Sequence, residues 1–206
     1  MNPVKEVCVE SFDEAIRAVE AGATRIELCE NLSCGGTTPS YGTIKRCLEK
    51  LTVPVMVMIR PRGGNFVYSG DEFEIMKEDI IRCKELGADG VVLGILDSNG
   101  YIDENRTSFL VRLAKPMEVT FHKAIDVSAD IVKCLTVLKE IGVDRILTSG
   151  GRQTALEGKT LLKQMIETAS PELKIIVAGK VTWENFNEIS KLIPSGEYHG
   201  RKLVDF

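Results

Sequence analysis

The chain has 206 residues, 44% of them hydrophobic and 27% charged, with a formal net charge of -4. That length supports a large core without disulfide or metal staples, and the acidic balance with no basic run argues against nucleic acid or an anionic membrane as partner. No apolar run approaches the roughly 20 residues of a membrane-spanning helix, and the opening MNPVKEVCVESFDEA lacks the apolar segment of a secretory signal.

The first expected strand, Val4–Val9, leads into Ser11-Phe-Asp-Glu14, which reads as a capping box. Ala15, Ile16 and Val19 follow at helical spacing, and Gly22 closes that helix. The second strand is Arg25–Cys29 and the third Val55–Arg60. Glu85-Leu-Gly87-Ala-Asp then precedes a fourth strand, Gly90–Gly94, and a fifth runs Glu118–His122. The same helix ending returns as Glu140-Ile-Gly142-Val-Asp before the sixth, Arg145–Ser149. Lys174–Ala178 is the seventh, Thr182 reads as the cap of a helix over 183–192, and Glu197–His199 is the eighth. Eight strands give about 26 residues per unit, the size of one strand, one helix and two turns.

Right-handed crossovers make such strands parallel. No Gly-x-Gly-x-x-Gly follows the first strand, so a dinucleotide-binding open sheet lacks its fingerprint and no nucleotide cofactor is expected. The expectation is a single α/β domain over residues 1–206, a TIM-type (β/α)8 barrel. It would be short beside the usual length of about 250 residues. Only Gly200 to Phe206 follow the last strand, so the eighth helix would be missing or truncated.

In this fold, sites form at the C-terminal ends of the strands. Glu6 and Cys8 share one face of the first strand, and Glu27 and Cys29 one face of the second. Neighbouring strands lie about 4.8 Å apart, so the two thiols can approach one soft ion. A two-thiolate site suits Cu(I) better than Zn(II); otherwise Cys8 and Cys29 are small buried hydrophobes. Arg60 and Arg62 flank Pro61 and are suited to grip a carboxylate or phosphate, or to neutralise Glu6 and Glu27. His122 shares the lumen face with Thr120 and can serve as acid, base or ligand. Asp126 would orient it or cap the next helix. The amides of Ser149, Gly150 and Gly151 form a loop that can bind an anion. Cys34 offers at most a supplementary thiol. Cys47, Cys83 and Cys134 fall on helices as packing residues, and Trp183 and the run Val55–Met58 read as helix packing and barrel core.

The stretches AGATRIELCENLSCGGTTPS, PVMVMIRPRGGNFVYS, VTFHKAID and GVDRILTSGG, in this order, resemble the CutC family of copper homeostasis proteins. The resemblance implies a TIM-type barrel, a cytoplasmic homodimer, and Cu(I) on Cys8 and Cys29. The chain departs from it in Cys34, where relatives usually carry an acidic residue, in Ala178-Gly-Lys180, where they are richer in glycine, and in the ending His199-Gly-Arg-Lys202. Two functions are therefore expected as alternatives. One is Cu(I) binding in copper homeostasis. The other is an enzyme of lyase, isomerase or hydrolase type acting on a small anionic metabolite. In that reading Glu6, Glu27, Arg60, His122 and Asp126 are catalytic, and Arg60, Arg62 and the loop Ser149–Gly151 hold the anion.

Overall fold

Alternation within short strands decides the architecture. The computed structural model describes residues 2–169, 171 and 173–206. Its strands are β1 (Val4–Val9), β2 (Arg25–Leu28), β3 (Val55–Met58), β4 (Gly90–Leu93), β5 (Glu118–Phe121), β6 (Arg145–Thr148), β7 (Lys174–Val177) and β8 (Glu197–Gly200). They pair in parallel and in sequence order, and β8 closes onto β1 through Val4 opposite Glu197 and Glu6 opposite His199. The helices are α1 (Phe12–Glu20), α2 (Tyr41–Lys50), α3 (Gly70–Glu85), α4 (Glu104–Ala114), α5 (Ile131–Ile141), α6 (Lys159–Ala169) and α7 (Phe186–Leu192).

One set of alternate residues, including Val7, Ile26, Val57, Leu93 and Phe121, packs outward against the helices in the main core. Burying each such side chain contributes about 1.5–3 kcal/mol. The other set points into the lumen, where Cys8, Cys29, Met56, Met58 and Val92 form one cluster and Leu147, Ile176 and Ala178 another. Among the described residues no helix is long and apolar enough to cross a membrane.

Local details differ from the expectations in three places. Ser11 Oγ accepts the Glu14 amide as expected, but the Glu14 carboxylate accepts from Glu10 N–H instead of closing the box. The reciprocal capping box lies at Ser69 and Glu72, at the start of α3. The Thr182 side chain does not cap the helix: its backbone carbonyl accepts the Phe186 amide, its strand position bridges to Lys202, and α7 begins only at Phe186, so Trp183 stands half exposed outside the helix. Among the described residues no helix follows β8. The residues after β8 instead bury Leu203 and Val204.

Candidate functional site

Charge enters the lumen in an ordered chain. Arg25 donates to Glu6 at 2.5 Å and to Glu197 at 2.6 Å. Arg145 links Glu197, at 3.0 Å, to Glu118, at 2.7 Å. The expected neutralisers of Glu6 and Glu27 were Arg60 and Arg62; the residue that meets Glu6 is Arg25. Arg62 lies outside the lumen, paired with Glu72 at 2.5 Å and donating to the carbonyls of Gly63, Asn65 and Val67.

Above this network, His199 Nδ1 lies 2.8 Å from Glu6 and its Nε2 lies 3.8 Å from Glu27. Cys8 stands level with Glu27 in the strand register, so Cys29 sits one lumen layer higher than Cys8. Donor atoms of Cys8, Glu27 and His199 fall within 4.8 Å of one another. The Cys29 sulfur lies 3.5 Å from a Glu27 carboxylate oxygen and packs in the same cluster as Cys8, Met56 and Met58. The result is a sulfur-rich pocket beside an imidazole.

The protonation states follow from these contacts. The Cys29 thiol hydrogen-bonds the Cys8 sulfur and, against the opposing effect of burial, helps His199 bring Cys8 down to about 5. The same bond, with burial, holds the Cys29 proton, which is raised well above the usual thiol range. Burial works against the charged form of Glu6, but Arg25 and His199 overcome it and draw Glu6 down to about 2. Burial pushes Glu27 up to about 8 despite the pull of His199. Burial opposes the charge on His199, yet Glu27, Cys8 and Glu6 hold it protonated well above the ordinary histidine range.

Across the mouth, Gly94 leaves room for the His122 ring, because a Cβ there would collide with it. His122 Nδ1 accepts the Ala124 amide at 3.2 Å, so the neutral ring carries its proton on Nε2. Burial, then the nearby Arg60 charge, lowers His122 to about 3. Asp126 does not reach it. The Asp126 carboxylate instead accepts from the amides of Ser149 and Gly151, from both hydroxyls of Thr148 and Ser149, and from Lys123. The Gly150 amide is taken by Thr148 Oγ1 at 2.9 Å. The anion expected at Ser149, Gly150 and Gly151 is thus the protein's own carboxylate. Cys34 lies apart from the thiol pair, donating to the Asn31 carbonyl at 3.2 Å.

Cys8, Glu27, Arg60, His122, Leu147 and His199 surround a cavity of about 150 Å³. It shares Phe66 and Lys123 with a broader, open cleft of about 1020 Å³; the larger volume lies outside the chemistry. Sequence reasoning missed His199, Arg25 and Glu197. Their signal was present, since Arg25 alternates with Glu27, and Glu197 with His199, so each pair shares the lumen face.

A family model described as the CutC family matches residues 4–203. A human protein named copper homeostasis protein cutC homolog is 44% identical over 194 residues, spanning 94% of this chain and 71% of that protein. A family protein CutC of Enterococcus faecalis is 41% identical over 208 residues, spanning 98% of this chain and all of its own. A solved structure from Streptococcus agalactiae, described as a copper homeostasis protein CutC, superposes with a TM-score of 0.92 at 39% identity, over 98% of this chain and 100% of that one. Phosphoribosyl anthranilate isomerase from Thermococcus kodakaraensis, at 17% identity and a TM-score of 0.61, shares the fold alone.

Proposed function

The chain belongs to the CutC family, and from that premise we propose that it serves copper homeostasis by holding Cu(I) on Cys8 and Cys29, with His199 as a third donor. One observation carries this reading: two thiols and two thioethers cluster beside an imidazole whose Nδ1 already faces Glu6. The donor set fits the ion. Thiolates and thioethers select Cu(I), and a histidine ligand is normally oriented by a carboxylate on its other nitrogen. Glu27 is a harder donor and would turn the same corner toward Zn(II). The test is a titration of reduced protein with Cu(I) against a competing chelator. Wild type should compete, and Cys8→Ser/Cys29→Ser should lose at least about 100-fold in affinity. Equal affinities would remove the two-thiol site.

A cytoplasmic location belongs to the same proposal, since six free cysteines suit a reducing compartment. So does a homodimer. Trp183 and Phe206, 50% and 40% exposed, share one surface pocket beside the tail, which is the flank a second copy would cover. Sedimentation should give twice the chain mass at micromolar concentration; a monomer there would remove the dimer.

A second reading, catalysis on a small anionic metabolite, is favoured by a separate observation. Glu6 and Glu27 are driven apart, to about 2 and about 8, the kind of split that separates base from acid in carboxylate pairs.

A further inference from the structure

Arg60 is 4% exposed and forms no ion pair among the described residues. Its terminal nitrogens donate to the carbonyls of Cys34, Gly36 and Gly64, and its guanidinium stacks over Phe66 at 4.8 Å. Among the described residues its Nε–H is buried with no acceptor at hydrogen-bond distance, and the Tyr68 hydroxyl near the guanidinium is likewise left without a partner. His122, also 4% exposed, leaves Nε2 without a partner. Both residues line the cavity of about 150 Å³; of the six buried side-chain polar atoms without a partner among the described residues, Glu27 Oε1 is the third that belongs to a residue of its wall. Leaving such a group unpaired in a buried site is costly, most of all for a charged one, so the three together describe a missing ligand. Two N–H donors, one of them on an uncompensated buried cation, call for a carboxylate. The Glu27 oxygen calls for a hydroxyl. Leu147 and Met58 close the rest with apolar surface. A cavity of about this volume admits a six-atom ring such as benzene, which sets the ligand size.

We propose that this cavity binds a short 2-hydroxycarboxylate of about six non-hydrogen atoms, with its carboxylate on Arg60 Nε–H and His122 Nε2–H and its hydroxyl on Glu27. In this role His122 is a fixed hydrogen-bond donor. The site goes beyond the Cu(I) reading and supplies the ligand class on which the second reading rests.

The experiment uses copper-free, reduced, full-length protein with nitrogen-15 NMR of the side chains. The probes are lactate, propionate and inorganic phosphate. Lactate should shift Arg60 Nε–H and His122 Nε2–H saturably in the millimolar range or tighter. Propionate, which lacks the hydroxyl, should bind about tenfold more weakly. Arg60→Met should abolish binding; because Arg60 also holds the 34–36 loop, Leu147→Phe, which fills the cavity without touching a polar group, should abolish it too. No shift in lactate, binding by phosphate alone, or binding that survives Leu147→Phe would overturn the site. Exchange of the lactate C2 proton with deuterated solvent is followed in the same samples. Binding without exchange upholds the site and counts only against catalysis, whereas absent binding overturns the site whatever the exchange shows.

Discussion

Replacing Arg25 by methionine is expected to lower the unfolding free energy by about 3–5 kcal/mol, the cost of breaking a buried ion pair from one side. Arg25 is 4% exposed and bridges Glu6 and Glu197, both buried carboxylates. Without it, among the described residues Glu6 keeps only His199, and Glu197 keeps Arg145 and the exposed Lys174. For a domain of this size the loss corresponds to a fall in Tm on the order of 10 °C. Arg46→Ala is the control. Arg46 is exposed beside Glu49 at 3.7 Å, and its loss should stay within about 0.5 kcal/mol. Denaturant unfolding measures both; equal effects would show that the lumen network does not hold the barrel.

The second large effect is the share of one histidine in the dependence of stability on acid. His122 stays neutral in the fold down to about 3, while the unfolded ring protonates near 6.5. Between those values the unfolded chain binds the extra proton, so the His122 contribution is complete above pH 6.5 and is lost as pH falls. By pH 4.5 the loss should reach about 2–3 kcal/mol. Glu6 has the same sign but acts lower, between its ordinary 4.5 and about 2; Cys8, lowered to about 5, adds to the decline and Glu27, raised to about 8, opposes it within the same interval, so the His122 part is read as the difference between the wild-type and His122→Gln slopes from 6.5 to 4.5. His122→Gln should flatten the wild-type slope there. Parallel slopes would mean that the folded ring takes up its proton as readily as the unfolded one.

The strands were legible because a lumen and an outer wall impose a period of two on every one of them. Glu6, Cys8, Glu27 and Cys29 could be assigned to the inside from that period alone. Three things were not legible. Register between strands is set by barrel shear, so the level of Cys8 with Glu27 rather than with Cys29 required coordinates. The destination of a long side chain is a competition among acceptors: Arg60 went to loop carbonyls and Arg62 to Glu72, while Arg25 took the carboxylate. Asp126 reached the amides of Ser149 and Gly151 because a 3-10 turn, Lys123–Val127, carries it across from the end of β5, and nothing local in TFHKAID announces that reach. His199 was readable but overlooked, since a histidine at the last strand of a closed barrel returns beside the first.

X-ray absorption at the copper edge of the one-to-one Cu(I) complex tests the central proposal most directly. The expected spectrum has two sulfur scatterers and one nitrogen, with a sulfur lost in Cys8→Ser and the nitrogen lost in His199→Gln. A shell of oxygen and nitrogen alone, or a spectrum unchanged by Cys8→Ser, would contradict Cu(I) binding by the lumen thiols.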